Sequence, residues 1–142
     1  MSLNLLIVDD SAVMRSMIVK TLRLSGVEVG ELYQAPNGLE GLKVLDQHRI
    51  DLVMVDINMP VMGGEEMIVK LRARPETAEL PVIVVSTDGS TSCAEMAKEQ
   101  KAHFVHKPFT PEMLRDKIRE ATGATKDENA GSQSVSSGGP DF

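Results

Sequence analysis

The chain has 142 residues, 42% of them hydrophobic and 25% charged, which suits one globular domain and not two. Its 21 acidic and 15 basic side chains give a formal net charge of −6, and its only aromatics are Tyr33, Phe104, Phe109 and Phe142. It therefore lacks both the basic footprint and the stacking platforms of a nucleic-acid binder.

The single cysteine, Cys93, excludes an internal disulfide and a cysteine-rich zinc site. No apolar run approaches the ~18 residues of a membrane span. The N-terminus has no basic run and meets Asp9 and Asp10 too early for a signal peptide. The expectation is a soluble, cytoplasmic, monomeric protein.

In chain order, Leu3 to Val8 is an apolar run broken only by Asn4, the pattern of a strand buried on both faces of a sheet. A helix is predicted from Ser11 as N-cap, with Val13, Met17, Ile18 and Leu22 on its inner face. A weaker strand is expected over Val27 to Tyr33. Asn37 and Glu40 form a capping pattern for a helix to His48. Leu52 to Val55 is a third strand, and Glu65 to Ala73, after Gly63 and Gly64, a third helix. Pro81 to Val85 is a fourth strand, and Thr91 to Gln100 an apolar-poor helix. Ala102 to Val105 is a fifth strand. Thr110, Pro111 and Glu112 start the last helix as cap, first-turn proline and first-turn acid, and Met113, Leu114, Ile118 and Ala121 carry it on. From Gly123 to Phe142 the chain is rich in Gly, Ser, Asp and Asn, a composition expected of a disordered tail or linker. The domain is then residues 1–122.

Strands alternating with helices at this spacing imply right-handed crossovers and a five-stranded parallel sheet with helices on both faces. Ligands in such sheets bind beyond the carboxyl ends of the strands. There stand Asp9-Asp10-Ser11, Asp56, Ser86-Thr87-Asp88 and His106-Lys107-Pro108-Phe109. Clustered carboxylates repel and need a counter-charge. An all-oxygen donor set suits a hard cation, Mg²⁺ above all. With Lys107 as a point charge and Ser86 as a hydroxyl donor, the set is what phosphoryl transfer to an aspartate needs.

The histidines at 48, 103 and 106 carry no ligand pattern, Cys93 carries no mark of a nucleophile, and the methionines are expected as core gap-fillers. Gly63-Gly64 is a loop and helix start, not a dinucleotide fingerprint.

The motifs LLIVDDS at 5–11, MVDINMPVMGG at 54–64, VIVVST at 82–87 and FVHKPF at 104–109 resemble the receiver domain of two-component response regulators. The similarity spans residues 3–122 and is strongest to single-domain chemotaxis (CheY-like) regulators. It implies a flavodoxin-like, doubly wound (βα)5 fold with strand order 2-1-3-4-5. It also implies Asp56 as phosphoacceptor, with Mg²⁺ held by Asp10, Asp56, the main-chain carbonyl of Asn58 and, through water, Asp9. Lys107 and Ser86 would bind the phosphoryl group, the Lys107–Pro108 bond would be cis, and Phe104 would be the switch aromatic. Asn58 and Asp88 stand where relatives tune the lifetime of the phosphoryl group.

Two positions depart from the family pattern. Lys101-Ala102 replaces Gly-Ala, which means either that no positive φ is needed there or that the turn is strained. Phe104 lacks the hydroxyl of a tyrosine.

The implied function is a phosphorylation-controlled signalling module, not an enzyme beyond its own phosphotransfer and dephosphorylation. The implied partners are a histidine kinase, a downstream target such as the flagellar motor switch, and a phosphatase. Two alternatives are a receiver belonging to a longer regulator and an Asp-nucleophile, metal-dependent phosphohydrolase. The haloacid-dehalogenase-like type of the latter requires D-x-D after the first strand, whereas Asp9 and Asp10 are adjacent.

Overall fold

The computed structural model describes residues 2–87 and 91–123. Ten elements alternate: β1 (Leu3–Val8), α1 (Ala12–Ser25), β2 (Val29–Ala35), α2 (Gly38–Gln47), β3 (Leu52–Val55), α3 (Gly64–Arg72), β4 (Val82–Ser86), α4 (Thr91–Glu99), β5 (His103–His106) and α5 (Pro111–Thr122). The strands form one parallel sheet in the order β2-β1-β3-β4-β5.

Period-two alternation along the buried strands sorts the core into two layers. Leu6, Val8, Val53, Val55, Val82 and Val84 face Leu42 of α2, Met67, Ile68 and Leu71 of α3, and Met96 and Ala97 of α4. Leu5, Ile7, Leu52, Met54, Ile83 and Val85 face Ile18 and Leu22 of α1 and Leu114 and Ile118 of α5. Because both faces are covered, β1, β3 and β4 need apolar side chains at every position of their buried runs.

The caps form as their residue types require. Ser11 accepts from the Met14 N–H, Asn37 from Glu40 and Thr110 from Met113. The return half of the Asn37 pattern is not made, since the Glu40 carboxylate pairs with Lys43 at 3.4 Å. Gly26 and Gly123 end α1 and α5 in the left-handed conformation. Residues 124–142, where a tail or linker was expected, lie outside the described residues, as does Asp88.

The structure corrects several expectations. β2 runs from Val29 to Ala35, two residues later than the apolar pattern suggested. Val27 and Glu28 belong to the turn, where the Glu28 carbonyl accepts from the Leu3 N–H. The register slips between Leu3 and Leu5, and there Asn4 Oδ1 accepts from the Glu31 N–H at 2.9 Å. Asn4 thus interrupts the apolar run because it stitches the sheet edge. Ser86 and His106 are the last residues of their strands, each one position beyond the apolar run. Val13 and Met17, expected on the inner face of α1, are 72% and 56% exposed. The α1 stripe that packs is narrower and centred on Ile18 and Leu22. Met113 is exposed as well, so not every methionine fills the core.

Arg72, the last residue of α3, joins the segments before β4 and β5. Its Nη1 donates to the carbonyls of Leu80 at 2.6 Å, Ala78 at 3.2 Å and Thr77 at 3.3 Å. Nε donates to Gln100 at 2.8 Å and Nη2 to Lys101 at 3.3 Å. Burial pulls its pKa below the ordinary value, opposed by the charge of Glu79.

The Lys101 question is settled by geometry: its φ is +58°, so a turn that suits glycine is made by lysine. Val61 has φ +67° although its β-carbon is branched and its side chain exposed. Left-handed backbone costs an L-residue about 1–2 kcal/mol, part of which a glycine loses again through its freer unfolded chain. Val61→Gly and Lys101→Gly should each raise the unfolding free energy by roughly 0.5–1 kcal/mol, Val61 the more. Urea titration with an unchanged m-value checks this, and a loss of stability in both variants would contradict it.

Candidate functional site

The site is assembled at the carboxyl edge of the sheet, where main-chain bonds continue past the strands. The Asp9 N–H donates to the Ala35 carbonyl and the Asp56 N–H to the Val8 carbonyl, both at 3.0 Å. These bonds carry the ladder one residue beyond β1 and β3 and bring two aspartates side by side. The Lys107 N–H donates to the Ser86 carbonyl at 2.8 Å and does the same for β4 and β5.

Asp9, Asp10 and Asp56 each offer a carboxylate oxygen, and these lie within 4.8 Å of one another. Asp9 is buried at 2% exposure, Asp56 is half-buried and Asp10 is exposed. Lys107 reaches over them, with Nζ 3.5 Å from Asp9 Oδ2 and a side chain only 11% exposed. A pair this buried holds only with further hydrogen bonds, and Asp9 Oδ1 accepts from the Ser11 N–H at 2.9 Å. The Lys107–Pro108 bond is cis. Ser86 is buried at 1% and stands opposite His106 in the ladder. Asn58 is exposed in the loop after β3. Phe104 is half-buried, packed on the core layer of α2, α3 and α4, its ring centroid 6.5 Å from that of His106.

The structure brings Asp9, Asp10, Asp56 and Lys107 together and sets Ser86 beside Lys107, while Asn58 lies in the loop after β3, Phe104 lies on β5, and Asp88 is outside the described residues. None of the three histidines joins the carboxylate cluster, although His106 stands beside Lys107 and opposite Ser86. His48 caps α2 and stacks on Tyr33 at 4.2 Å, and His103 faces Glu120 at 3.9 Å.

Two participants were not apparent in the sequence. A β-carbon on Gly64 would lie 2.2 Å from the Asp56 carbonyl oxygen, so α3 begins in direct main-chain contact with Asp56. Arg15, one turn into α1, donates from Nη1 to the Asp9 carbonyl and from Nε to Gln34 Oε1 at 3.0 Å. The only sign of the first was a Gly-Gly pair and of the second a basic residue close after two acids.

Burial pushes the Asp56 carboxyl above its ordinary 3.8. Lys107 opposes the shift, Asp9 adds to it, the Ile57 N–H at 2.8 Å opposes it and Asp10 adds to it. The unrelieved negative charge, the all-oxygen donors and the exposure of Asp10 suit a hard divalent cation that keeps part of its water, and Mg²⁺ fits.

The raised pKa means that the folded state holds the Asp56 proton more tightly than the unfolded chain. The stability this contributes is complete below the ordinary value and lost as pH rises through the raised one. In chelator at neutral pH, Asp56→Asn should therefore be more stable than the parent, by on the order of 0.5 kcal/mol after solvent screening of a half-exposed group. The gain should shrink as pH falls toward 4. Thermal unfolding of both proteins at the two pH values checks this, and an equal gain at both would contradict it.

The comparisons with known proteins agree with this geometry. The family model described as "Response regulator receiver domain" matches residues 5–119. The chemotaxis protein CheY homolog of Campylobacter jejuni is 34% identical over 132 residues, covering 90% of this chain and 98% of that protein. The chemotaxis protein CheY1 of Helicobacter pylori is 36% identical over 125 residues, covering 85% and 98%. Among solved structures, Vibrio cholerae chemotaxis protein CheY4 superposes with a TM-score of 0.75 at 30% identity, covering 85% of this chain and 99% of that one. With a receiver model spanning most of its length and relatives matched from end to end, this chain belongs to the response regulator receiver domain family of two-component signalling, and within it is CheY-like.

Proposed function

We propose that the chain accepts a phosphoryl group on Asp56 from the phosphohistidine of a histidine kinase and, so modified, changes its affinity for a downstream partner. The observation that supports this most is the pairing of a half-buried strand-end carboxylate, Asp56, with two further acids and a nearly buried lysine. Receiver domains as a class bind Mg²⁺ at an acidic pocket, and they are signalling proteins and not conventional enzymes.

Bound Mg²⁺, held by Asp10, Asp56, the Asn58 carbonyl and Asp9, would supply neutralisation of the phosphoryl oxygens. The rest is the work of the protein's own groups. In the transfer the phosphorus–nitrogen bond of the donor breaks and a bond from phosphorus to an Asp56 carboxylate oxygen forms. The leaving imidazole takes up a proton from solvent. Asp56 must be ionised to attack, and Lys107 favours that state. Once the group has arrived, Lys107 exchanges its contact with Asp9 for a phosphoryl oxygen, and the Ser86 hydroxyl turns to a second. Ser86 and Lys107 terminate neighbouring strands, so both responses bear on β4 and β5. Phe104, on β5, packs on the core layer that includes α4, and its rotamer is the proposed output. The names of the relatives favour chemotaxis as the setting. The proposed target in that setting is the flagellar motor switch, with a phosphatase to end the signal.

Incubation with a small-molecule phosphodonor and Mg²⁺ should add one phosphoryl group by intact mass, and Asp56→Asn should take up none. Labelling of the variant to the level of the parent would refute the assignment.

Phe104→Ala should still be phosphorylated. Its affinity ratio for the partner, with and without beryllofluoride, should fall from the ~5- to 150-fold of typical coupled sites toward one. Retention of the full ratio would refute the coupling through Phe104 and leave the phosphorylation site standing.

A further inference from the structure

We infer that Arg15 is a positioning residue of this site: its guanidinium clamps the peptide between Asp9 and Asp10 so that the Asp10 carboxylate is presented to a divalent cation. The inference rests on the reading of the three aspartates as a cation and phosphoryl site.

The clamp is visible atom by atom. Arg15 is anchored in the first turn of α1 by its N–H bond to the Ser11 carbonyl at 3.0 Å. Its side chain runs back toward the helix N-terminus, as helical side chains do. Nη1 meets the Asp9 carbonyl and Nε meets Gln34 Oε1 at 3.0 Å. Gln34 precedes Ala35, whose carbonyl takes the Asp9 N–H at 3.0 Å. Two adjacent residues of β2 thus hold both sides of Asp9, one directly and one through the guanidinium.

The Asp9 carboxylate is occupied as well, one oxygen by the Ser11 N–H and the other by Lys107. Every polar atom of Asp9 has a protein partner, and the residue cannot turn. Asp10 follows with an exposed side chain on this fixed peptide. Its backbone is held on both sides, by the Asp9 carbonyl in the grip of Arg15 and by the Ser11 N–H on the Asp9 carboxylate, and together these set the direction of its Cα–Cβ bond. A planar fork with Nε and Nη donors at a fixed spacing can join two acceptors in this way, whereas an ammonium is a single point.

The two effects that Arg15 can have on a cation are of opposite sign. As a positive charge beside the site it repels the cation. As a clamp it pre-forms the ligand geometry and raises affinity, in the manner of the outer groups that orient ligands in other metal sites. Removing it distinguishes the two.

The test is calorimetric titration of Mg²⁺ into the full chain, without phosphodonor, for the parent, Arg15→Lys, Arg15→Gln and Gln34→Ala. Both Arg15 variants should bind Mg²⁺ about tenfold more weakly, and Gln34→Ala should fall between them and the parent. The Mg²⁺ concentration giving half-maximal phosphorylation should rise by the same factor. Unchanged or tighter binding in the Arg15 variants overturns the inference, since a charge acting alone predicts tighter binding for Arg15→Gln. Arg15→Lys keeps the charge and most of the stem, and it decides alone should Arg15→Gln not fold. If the parent itself binds no Mg²⁺, the cation site falls and this inference with it. If the parent binds and all variants match it, only the role of Arg15 falls.

Discussion

Like charges within 4.8 Å of one another separate unless something holds them, and in this protein the holding is done by the sheet. The residues just past β1 and β3 are locked by ladder bonds that continue beyond the strands, and the strands lie in a core that admits almost no solvent. The repulsion cannot relax by moving the backbone. It adds instead to the pKa of Asp56, which burial has already raised, and it shows in the way Lys107 is drawn over Asp9. The proposed metal site, nucleophile and phosphate ligand thus draw on one electrostatic conflict held in a rigid frame.

How much of this could be seen beforehand depended on what each residue does. The buried strands were legible because β1, β3 and β4 are covered on both faces and require apolar side chains without alternation. β2 was placed two residues early because its last buried residue, Ala35, is small and follows polar Gln34. Asp9 and Asp56 stood out because each follows an apolar run directly, and Asp10 and Lys107 because they come one residue further on. Val13 and Met17 misled because apolar residues at helical spacing are indistinguishable by pattern from those that pack.

What escaped the sequence belongs to the backbone. The work of Arg15 lies in a main-chain carbonyl and a glutamine on another element, and nothing about an arginine in a first helical turn announces either. Gly64 shows its purpose only when α3 is seen against the Asp56 carbonyl. The left-handed conformations of Val61 and Lys101 run against residue preference and follow from the path of the chain on either side. Where side-chain chemistry makes the site, sequence patterns find it; where main-chain shape makes it, they do not.

Arg72 shows that difference from the other side. All five of its acceptors are carbonyls of the main chain, in Thr77, Ala78, Leu80, Gln100 and Lys101. It recognises the course of two connecting segments and is indifferent to the side chains they carry. Those segments are therefore open to exchange wherever their own side chains do no packing or bonding. Thr77, whose hydroxyl donates to the Leu71 carbonyl, and Leu80, which packs on the core, are the exceptions. A graft that replaces residues 77–80 or 100–101 with the corresponding stretch of a relative should seat correctly when position 72 keeps its guanidinium, position 77 a hydroxyl and position 80 an apolar side chain.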